Sequence, residues 1–153
     1  PYYSLMYLLA GTIKNGLLVE LGVHKGRGLA SLAAARRSNI VIGLDTTKCE
    51  EIDILRKQYP NLIFYNKPSM PVLSYIFDKG IDLLHIDTEH SYSMAKAEFE
   101  AYKPYLAKGA YVLFDDLHAQ DDDVLKYFNE LDYEKVQDDR LHPSCGYGVI
   151  IYE

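Results

Sequence analysis

Short apolar runs alternate with longer stretches of helical periodicity along the chain, and this alternation restricts the fold more than any other feature of the sequence. Runs that are apolar at consecutive positions predict strands buried on both faces, and such strands belong to parallel sheets covered by helices on both sides. The predicted parallel strands are Leu17–Leu21, Ile40–Leu44, Leu62–Tyr65, Ile81–Ile86 and Tyr111–Phe114. The sequence therefore predicts an α/β fold built on a doubly wound, mostly parallel sheet.

The stretches between these strands have helical spacing and supply the covering layers. The predicted helices are Leu29–Arg37, Glu50–Tyr59, Val72–Lys79, Met94–Leu106 and Val124–Leu131. Two closing strands, near Tyr133–Gln137 and Tyr147–Tyr152, flank a loop with Pro, Ser and Gly, which predicts an antiparallel hairpin. No repeat or linker divides the chain. We therefore predict a single domain over residues 1–153, with residues 1–11 as an extra N-terminal helix outside the sheet.

Composition limits the setting and the partners. The chain has 153 residues, 48% of them hydrophobic, which suffices for a full core without disulfides or a structural metal. Its two cysteines, Cys49 and Cys145, are far apart in the sequence, which suits a reducing, intracellular setting. The sequence has no signal-peptide pattern and no apolar run long enough to span a bilayer. The net charge of −6 argues against nonspecific nucleic-acid binding. We expect a cytoplasmic protein with no membrane or nucleic-acid partner; a homo-oligomer is compatible with the sequence.

Carboxylates stand where most of the predicted strands end. Glu20 lies in the first strand, Asp45 and Asp87 follow the second and fourth strands, and Asp115–Asp116 follow the fifth. In a parallel sheet these ends meet at one edge, where ligands bind. Because a row of acids on an apolar sheet is costly unless something binds it, the sequence predicts a ligand site at this edge.

The first of these turns, Glu20–Gly28, is rich in glycine. Glycines allow close backbone approach to a ligand, but the second glycine of a dinucleotide fingerprint is missing after Gly22. Asp45 lies 23 residues after Gly22, at a position from which an acid can accept both hydroxyls of a ribose. Together they predict an adenosine-containing ligand; a plain glycine turn and a surface aspartate remain the alternatives.

A second group of acids is predicted to converge with a histidine. Asp87 and Asp115 end neighbouring strands, about 4.8 Å apart in a sheet, so their charges repel unless a cation lies between them. Carboxylate oxygens are the ligands that Mg²⁺ prefers. His90 follows Asp87 by three residues and has the ordinary pKa of a general base. An Asp/His helix-capping pair is the alternative.

The stretch Ile81–Tyr92, IDLLHIDTEHSY, continues through Gly109 to Asp115–Asp116 and carries a family likeness. It resembles the signature of class I S-adenosylmethionine-dependent methyltransferases, in particular the metal-dependent small-molecule and sugar O-methyltransferases of methyltransferase family 24, which are macrocin O-methyltransferase-like. The resemblance implies a Rossmann-like sheet of strand order 3-2-1-4-5-7-6 with the last strand antiparallel. It also implies transfer of a methyl group from S-adenosylmethionine to a hydroxyl of a small molecule.

The resemblance further implies roles for single residues. The methionine part of the cofactor would contact Glu20, Gly22 and Gly26. Its ribose would contact Asp45, and Ser69 would lie near its adenine. Asp87 is also predicted to contact the cofactor. Mg²⁺ would bind to Asp87, Asp115 and Asp116, and His90 would be the general base. Thr88 and Glu89 depart from the Gly-Asp that is frequent in this family. A metal-independent methyltransferase, a catalytically silent cofactor-binding domain and an NAD-linked oxidoreductase are the competing interpretations.

Three further features are open to structural interpretations. His85 lies inside a predicted buried strand, which favours a packed core histidine. His118 could line the acceptor pocket or face solvent in a loop. Asp121–Asp123 precede a helix and are predicted to cap it and to offset its dipole.

Overall fold

The apolar runs form the centre of a twisted sheet in a computed structural model, which describes residues 2–77 and 80–153. The two innermost runs are buried almost throughout, as expected for strands with helices on both faces. The strands are β1 Leu17–Leu21, β2 Ile40–Leu44, β3 Leu62–Tyr65, β4 Ile81–Ile86, β5 Leu106–Asp115, β6 Glu134–Gln137 and β7 Tyr147–Ile151.

The strand order of this sheet is β3-β2-β1-β4-β5-β7-β6, so the predicted order is confirmed. Strands β1 to β5 pair in parallel, and β7 runs antiparallel to both β5 and β6, as predicted. The chain leaves β1 toward β2 and β3 and then returns to the other side of β1 with β4. This reversal is the switch point at which doubly wound sheets bind ligands.

The helices cover both faces of the sheet. They are α1 Tyr2–Thr12, α2 Arg27–Ala35, α3 Glu51–Gln58, α4 Tyr92–Tyr102 and α5 Ala119–Glu130. Met6 of α1, Leu29 of α2 and Ile52 of α3 belong to one buried cluster, whereas Phe99 of α4 and Phe128 of α5 belong to the other. The N-terminal helix therefore completes one covering layer. None of the described helices has both the length and the apolar character needed to cross a bilayer.

Two predicted helices differ from the structure. The segment predicted as Val72–Lys79 contains one 3₁₀ turn, Ser74–Ile76, and its last two positions, 78–79, lie outside the described residues. Its Val, Tyr, Ile and Phe are weak helix formers, and a short helix gains little from propensity alone. The helix predicted to reach Leu106 ends at Tyr102, because Pro104 interrupts it; β5 then begins at Leu106, before the predicted start.

Candidate functional site

The turn after β1 is held at the switch point by backbone bonds to both neighbouring strands. Gly22 N donates to Leu44 O at 3.0 Å, and Asp87 N donates to Leu21 O at 2.9 Å. Gly22 has a φ of 79°, and a Cβ there would collide with the carbonyl of Asp87. Only glycine fits both the backbone angle and this close approach. The first predicted glycine thus brings the ends of β1 and β4 together.

Asp45 organises the same turn from β2. Its Oδ2 accepts hydrogen bonds from the backbone N–H groups of Val23 and His24, each at 2.8 Å, and its Oδ1 accepts one from Thr47 N at 2.7 Å. These bonds hold His24 in a left-handed conformation with a φ of 48°. The carboxylate therefore fixes the loop, and Asp45 also lines a cavity.

That cavity, of about 410 Å³, opens at the switch point. Four of the six residues predicted to contact the cofactor line it, namely Gly22, Asp45, Ser69 and Asp87. The rest of its wall is formed by His24, Leu44, Thr46, Pro68, Thr88, Glu89 and Met94. The structure thus brings the predicted ribose and adenine contacts, and one of the three predicted methionine contacts, Gly22, to one space.

Glu20 and Gly26, the other two residues predicted at the cofactor, lie behind this cavity. Glu20 is 2% exposed, and its Oε1 is 2.9 Å from Nδ1 of His85, its neighbour in the β1–β4 register. Burial raises the pKa of Glu20. Burial alone would lower the pKa of His85, but the hydrogen bond and charge of Glu20 outweigh it and raise that pKa. Gly26 packs under Leu55 and Ile52 of α3. Neither residue lines a described cavity, and His85 is the predicted core histidine.

The acids that end β4 and β5 converge on His90. The imidazole lies between Asp87 and Asp116, with Nε2 3.3 Å from Asp87 Oδ1 and Nδ1 3.0 Å from Asp116 Oδ2. Asp115 is 3% exposed, and Asp116 has a φ of 52°, a conformation uncommon outside glycine. Strain of this kind is concentrated at functional sites. Asp87, His90 and Asp116 are therefore in direct contact, and Asp115 joins this acidic cluster through the backbone N–H of Asp116, which donates to Asp115 Oδ1 at 2.9 Å.

The charges of this cluster perturb its members, and its side chains could hold a cation. Burial raises the pKa of Asp87, against the opposing hydrogen bond from His90. The hydrogen bond to Asp87 and the charge of Asp116 raise the pKa of His90. Asp87, His90 and Asp116 place one ligand atom each within 4.8 Å of one another. Their negative charge makes the imidazolium favourable, and a divalent ion could replace it.

A second cavity, of about 280 Å³, adjoins the first. Asp87 and His24 belong to both walls, so ligands in the two cavities would meet beside Asp87. The remaining wall consists of Tyr2, Tyr3, Lys25, Arg27, Asp115, Asp116 and His142. One cavity therefore lies beside Asp45, the predicted ribose ligand, and the second lies beside the acidic cluster.

A protein-family model described as a methyltransferase domain matches residues 19–117, which include the glycine turn, Asp45, Asp87 and both aspartates at the end of β5. The chain belongs to this methyltransferase family. The family resemblance predicted from the sequence is thereby confirmed.

Two curated relatives of this methyltransferase are uncharacterized proteins. Protein R132 of Acanthamoeba polyphaga mimivirus is 27% identical over 130 residues, which cover 75% of this chain and 58% of the viral protein. Protein y4gI of Sinorhizobium fredii is 39% identical over 146 residues, which cover 80% of this chain and 16% of that protein. The chain thus spans less than two thirds of the length of either relative.

Solved structures share the fold at low identity. Cofactor-bound Rv0187 from MTB superposes with a TM-score of 0.81 at 17% identity, covering 98% of this chain and 78% of that chain. The O-methyltransferase TomG from Streptomyces achromogenes, in complex with SAM, gives 0.78 at 14% identity over 100% of this chain and 80% of that chain. The calicheamicin methyltransferase CalS11 gives 0.72 at 17% identity over 95% and 76%.

Two residues beside Asp115 and Asp116 were not predicted. His142 and Cys145 lie in the loop between β6 and β7, and Nδ1 of His142 is 2.9 Å from Asp115 Oδ1. The only available signal was a His and a Cys three residues apart in a loop that returns to β5 through β7. Without a strand register, nothing in the sequence placed that loop beside Asp116.

His118 is absent from the described lining of both cavities, as are His90 and Cys145. Its ring nitrogens contact Asp122 Oδ1 at 2.7 Å and Asp139 Oδ1 at 3.1 Å. Asp121 and Asp122 have positive φ and lie inside α5, whose N-cap residue is His118. Among the described hydrogen bonds, the Asp122 side chain contacts His118 and none caps α5, so the predicted cap is not observed.

Proposed function

We propose that this chain is an S-adenosylmethionine-dependent O-methyltransferase that acts on a hydroxyl of a small molecule. The observation that carries the proposal is the pair of cavities that meet at Asp87, one beside Asp45 and one beside the acidic cluster. Methyl transfer is a direct displacement that needs donor and acceptor aligned about 3 Å apart. Two adjoining compartments can hold the two reactants in that alignment.

The residues of the larger cavity fit the cofactor. Gly22 lets the turn after β1 lie against the Asp87 carbonyl at the wall of this cavity, and Asp45 lines the same wall and would accept a ribose hydroxyl. Ser69 and Thr88 contribute to the wall where the adenine would lie. When bound, the cofactor supplies an electrophilic methyl group on a sulfonium. Asp87 contributes a negative charge to both walls and would orient that cation toward the second cavity.

The acidic cluster fits Mg²⁺. Asp87, Asp115 and Asp116 offer carboxylate oxygens, and Oδ1 of Asp116 is buried without a hydrogen-bond partner among the described residues. A divalent ion held there supplies positive charge that lowers the pKa of an acceptor hydroxyl. His90 reaches the same acids and would accept the proton of that hydroxyl.

The second cavity favours a small acceptor. Its volume of about 280 Å³ lies near the lower limit of typical ligand pockets. A vicinal diol or catechol fits best, since two adjacent oxygens can chelate one ion. Lys25 and Arg27 form part of the wall, so an acceptor that also carries an anionic group would find a cation there.

The test is methyl transfer from labelled S-adenosylmethionine to a panel of diols, catechols and phosphorylated hydroxyl compounds, with and without Mg²⁺. We expect Asp87→Ala and His90→Ala to reduce transfer at least about a hundredfold. His118→Ala is the matched control, because that histidine contacts Asp122 and Asp139, whereas His90 contacts Asp87 and Asp116. No transfer to any acceptor, with no saturable cofactor binding by calorimetry, would reject the proposal; full activity of Asp87→Ala and His90→Ala would reject the assigned roles.

One observation favours a second candidate, a metal-independent methyltransferase. His90 and His142 already contact Asp87, Asp115 and Asp116 and could balance their charge. Turnover that persists in excess EDTA would select this candidate, whereas loss and recovery with Mg²⁺ would select the first. Membership of the methyltransferase family argues against an NAD-linked oxidoreductase.

A further inference from the structure

The β6–β7 loop carries a second group of ligand types beside the acidic cluster. Asp116, His142 and Cys145 each place one ligand atom within 4.8 Å of the others. One group is a carboxylate, one an imidazole and one a thiol. This set differs from the oxygen ligands of Asp87 and Asp115, although Asp116 belongs to both.

The backbone holds these three residues in position. Cys145 N and Gly146 N both donate to His142 O, at 3.1 and 2.7 Å, so the loop closes into a turn that carries His142 and Cys145 together. His118 N donates to Cys145 O at 2.7 Å, which ties this turn to the segment directly after β5. The hydrogen bonds therefore fix the loop next to Asp116 through backbone atoms alone.

The side chains retain unused ligand capacity. Oδ1 of Asp116 is buried and has no hydrogen-bond partner among the described residues, although it lies 3.3 Å from Nδ1 of His142. Sγ of Cys145 lies 3.5 Å from the Ser144 hydroxyl and also contacts the Asp116 carboxylate. The His142 ring is oriented by Asp115 at 2.9 Å, and carboxylates commonly orient metal-binding histidines in this way.

We propose that Asp116, His142 and Cys145 form a binding site for a borderline-soft divalent metal ion of the Zn²⁺ class. Thiolate, imidazole and carboxylate are the usual zinc ligands, and the three leave a fourth position for water or a hydroxyl compound. Mg²⁺ avoids sulfur, so the thiol separates this site from the oxygen set. Binding releases the thiol proton to solvent as the metal–sulfur bond forms. This inference goes beyond the proposed function, because occupation of the site requires neither cofactor nor methyl transfer.

The test uses Co²⁺ as a spectroscopic probe on the whole chain, kept reduced and free of S-adenosylmethionine. We expect a near-ultraviolet thiolate-to-cobalt charge-transfer band that saturates at one equivalent and disappears when Zn²⁺, but not Mg²⁺, is added. Cys145→Ser should abolish the band, and His142→Ala should weaken Co²⁺ affinity at least about tenfold. Cys49→Ser is the matched control: Cys49 is also half-buried but lies before α3, outside this cluster. Circular dichroism melts establish that each variant is folded.

The outcomes separate this site from the proposed function. Co²⁺ binding without a thiolate band, or a band that survives in Cys145→Ser, overturns the site, and Mg²⁺-dependent transfer could still be observed. A band that is lost in Cys145→Ser but kept in Cys49→Ser supports the site, even if no acceptor is methylated. If Cys145→Ser is unfolded, a wild-type band that is removed by alkylation of Cys145, mapped by mass spectrometry, supports the site; a band unaffected by that alkylation overturns it.

Discussion

The buried pair of Glu20 and His85 should contribute strongly to stability, and breaking it tests how the cofactor turn is supported. The two side chains are 2% and 0% exposed and are joined at 2.9 Å. Removing one member of such a buried pair leaves the other without its partner, which costs about 3–5 kcal/mol. Glu20→Ala and His85→Ala should each lower the free energy of unfolding by that amount.

A subtler change gives an intermediate magnitude. In Glu20→Gln the side-chain carbonyl can still accept a hydrogen bond from Nδ1 of His85, but its NH₂ group replaces Oε2, which has no partner among the described residues. A buried, unsatisfied donor costs about 1–3 kcal/mol. We therefore expect a destabilisation smaller than that of Glu20→Ala, in a variant that remains folded.

Urea unfolding followed by far-UV circular dichroism measures these differences, provided that the m-value is unchanged. The double variant Glu20→Ala/His85→Ala should show a coupling energy of about 1–3 kcal/mol, because the two losses share one interaction. Glu100→Gln, at an exposed end of α4 where the carboxylate lies 3.8 Å from Lys103, is the control and should change stability by less than about 0.5 kcal/mol. Losses of Glu20 and His85 that add without coupling would refute the reasoning.

Three more predictions concern the site. Gly22→Ala should weaken S-adenosylmethionine binding, measured by calorimetry, and lower stability by more than about 1 kcal/mol, because the new Cβ meets the Asp87 carbonyl. Gly11→Ala, in open space on α1, is the control and should change neither quantity. Equal effects of the two variants would contradict the prediction. Asp45→Asn should weaken cofactor binding at least about tenfold, because the NH₂ group of the asparagine would face backbone N–H groups that now donate to the carboxylate. An unchanged affinity would show that the turn does not need the carboxylate. The raised pKa of His90 predicts that kcat/KM rises as the pH increases above 6.5, because the imidazole then loses its proton. The contribution of the protonated His90 to stability is present below pH 6.5 and is lost over the same pH range. If the pH profile of kcat/KM is unchanged in His90→Gln, His90 is not the base.

The fold could be predicted largely from local pattern. Leu17–Leu21 and Ile40–Leu44 were predicted with the bounds observed, because an apolar run of this length has one favourable place, inside a sheet covered on both faces. The acids at strand ends follow from the same periodicity. Once the strands are parallel, Asp87 and Asp115 must meet at one edge.

Local pattern failed where competing local signals were close in energy. The segment after β3 has apolar residues at helical spacing, yet among its described residues only Ser74–Ile76 is helical, since short helices depend on tertiary packing. Helical periodicity predicted that α4 would continue to Leu106, but the helix ends at Tyr102, just before Pro104. The start of β5 was therefore predicted too late.

The sequence by itself determined which chemical groups stand at the ends of the strands, because side-chain periodicity and strand direction are local properties. Only the tertiary structure decided which groups pair. Glu20 contacts His85 through the β1–β4 register, and the β6–β7 loop brings His142 and Cys145 to Asp116. These contacts join residues far apart in the chain, and their geometry depends on strand register and on backbone bonds that no local pattern encodes.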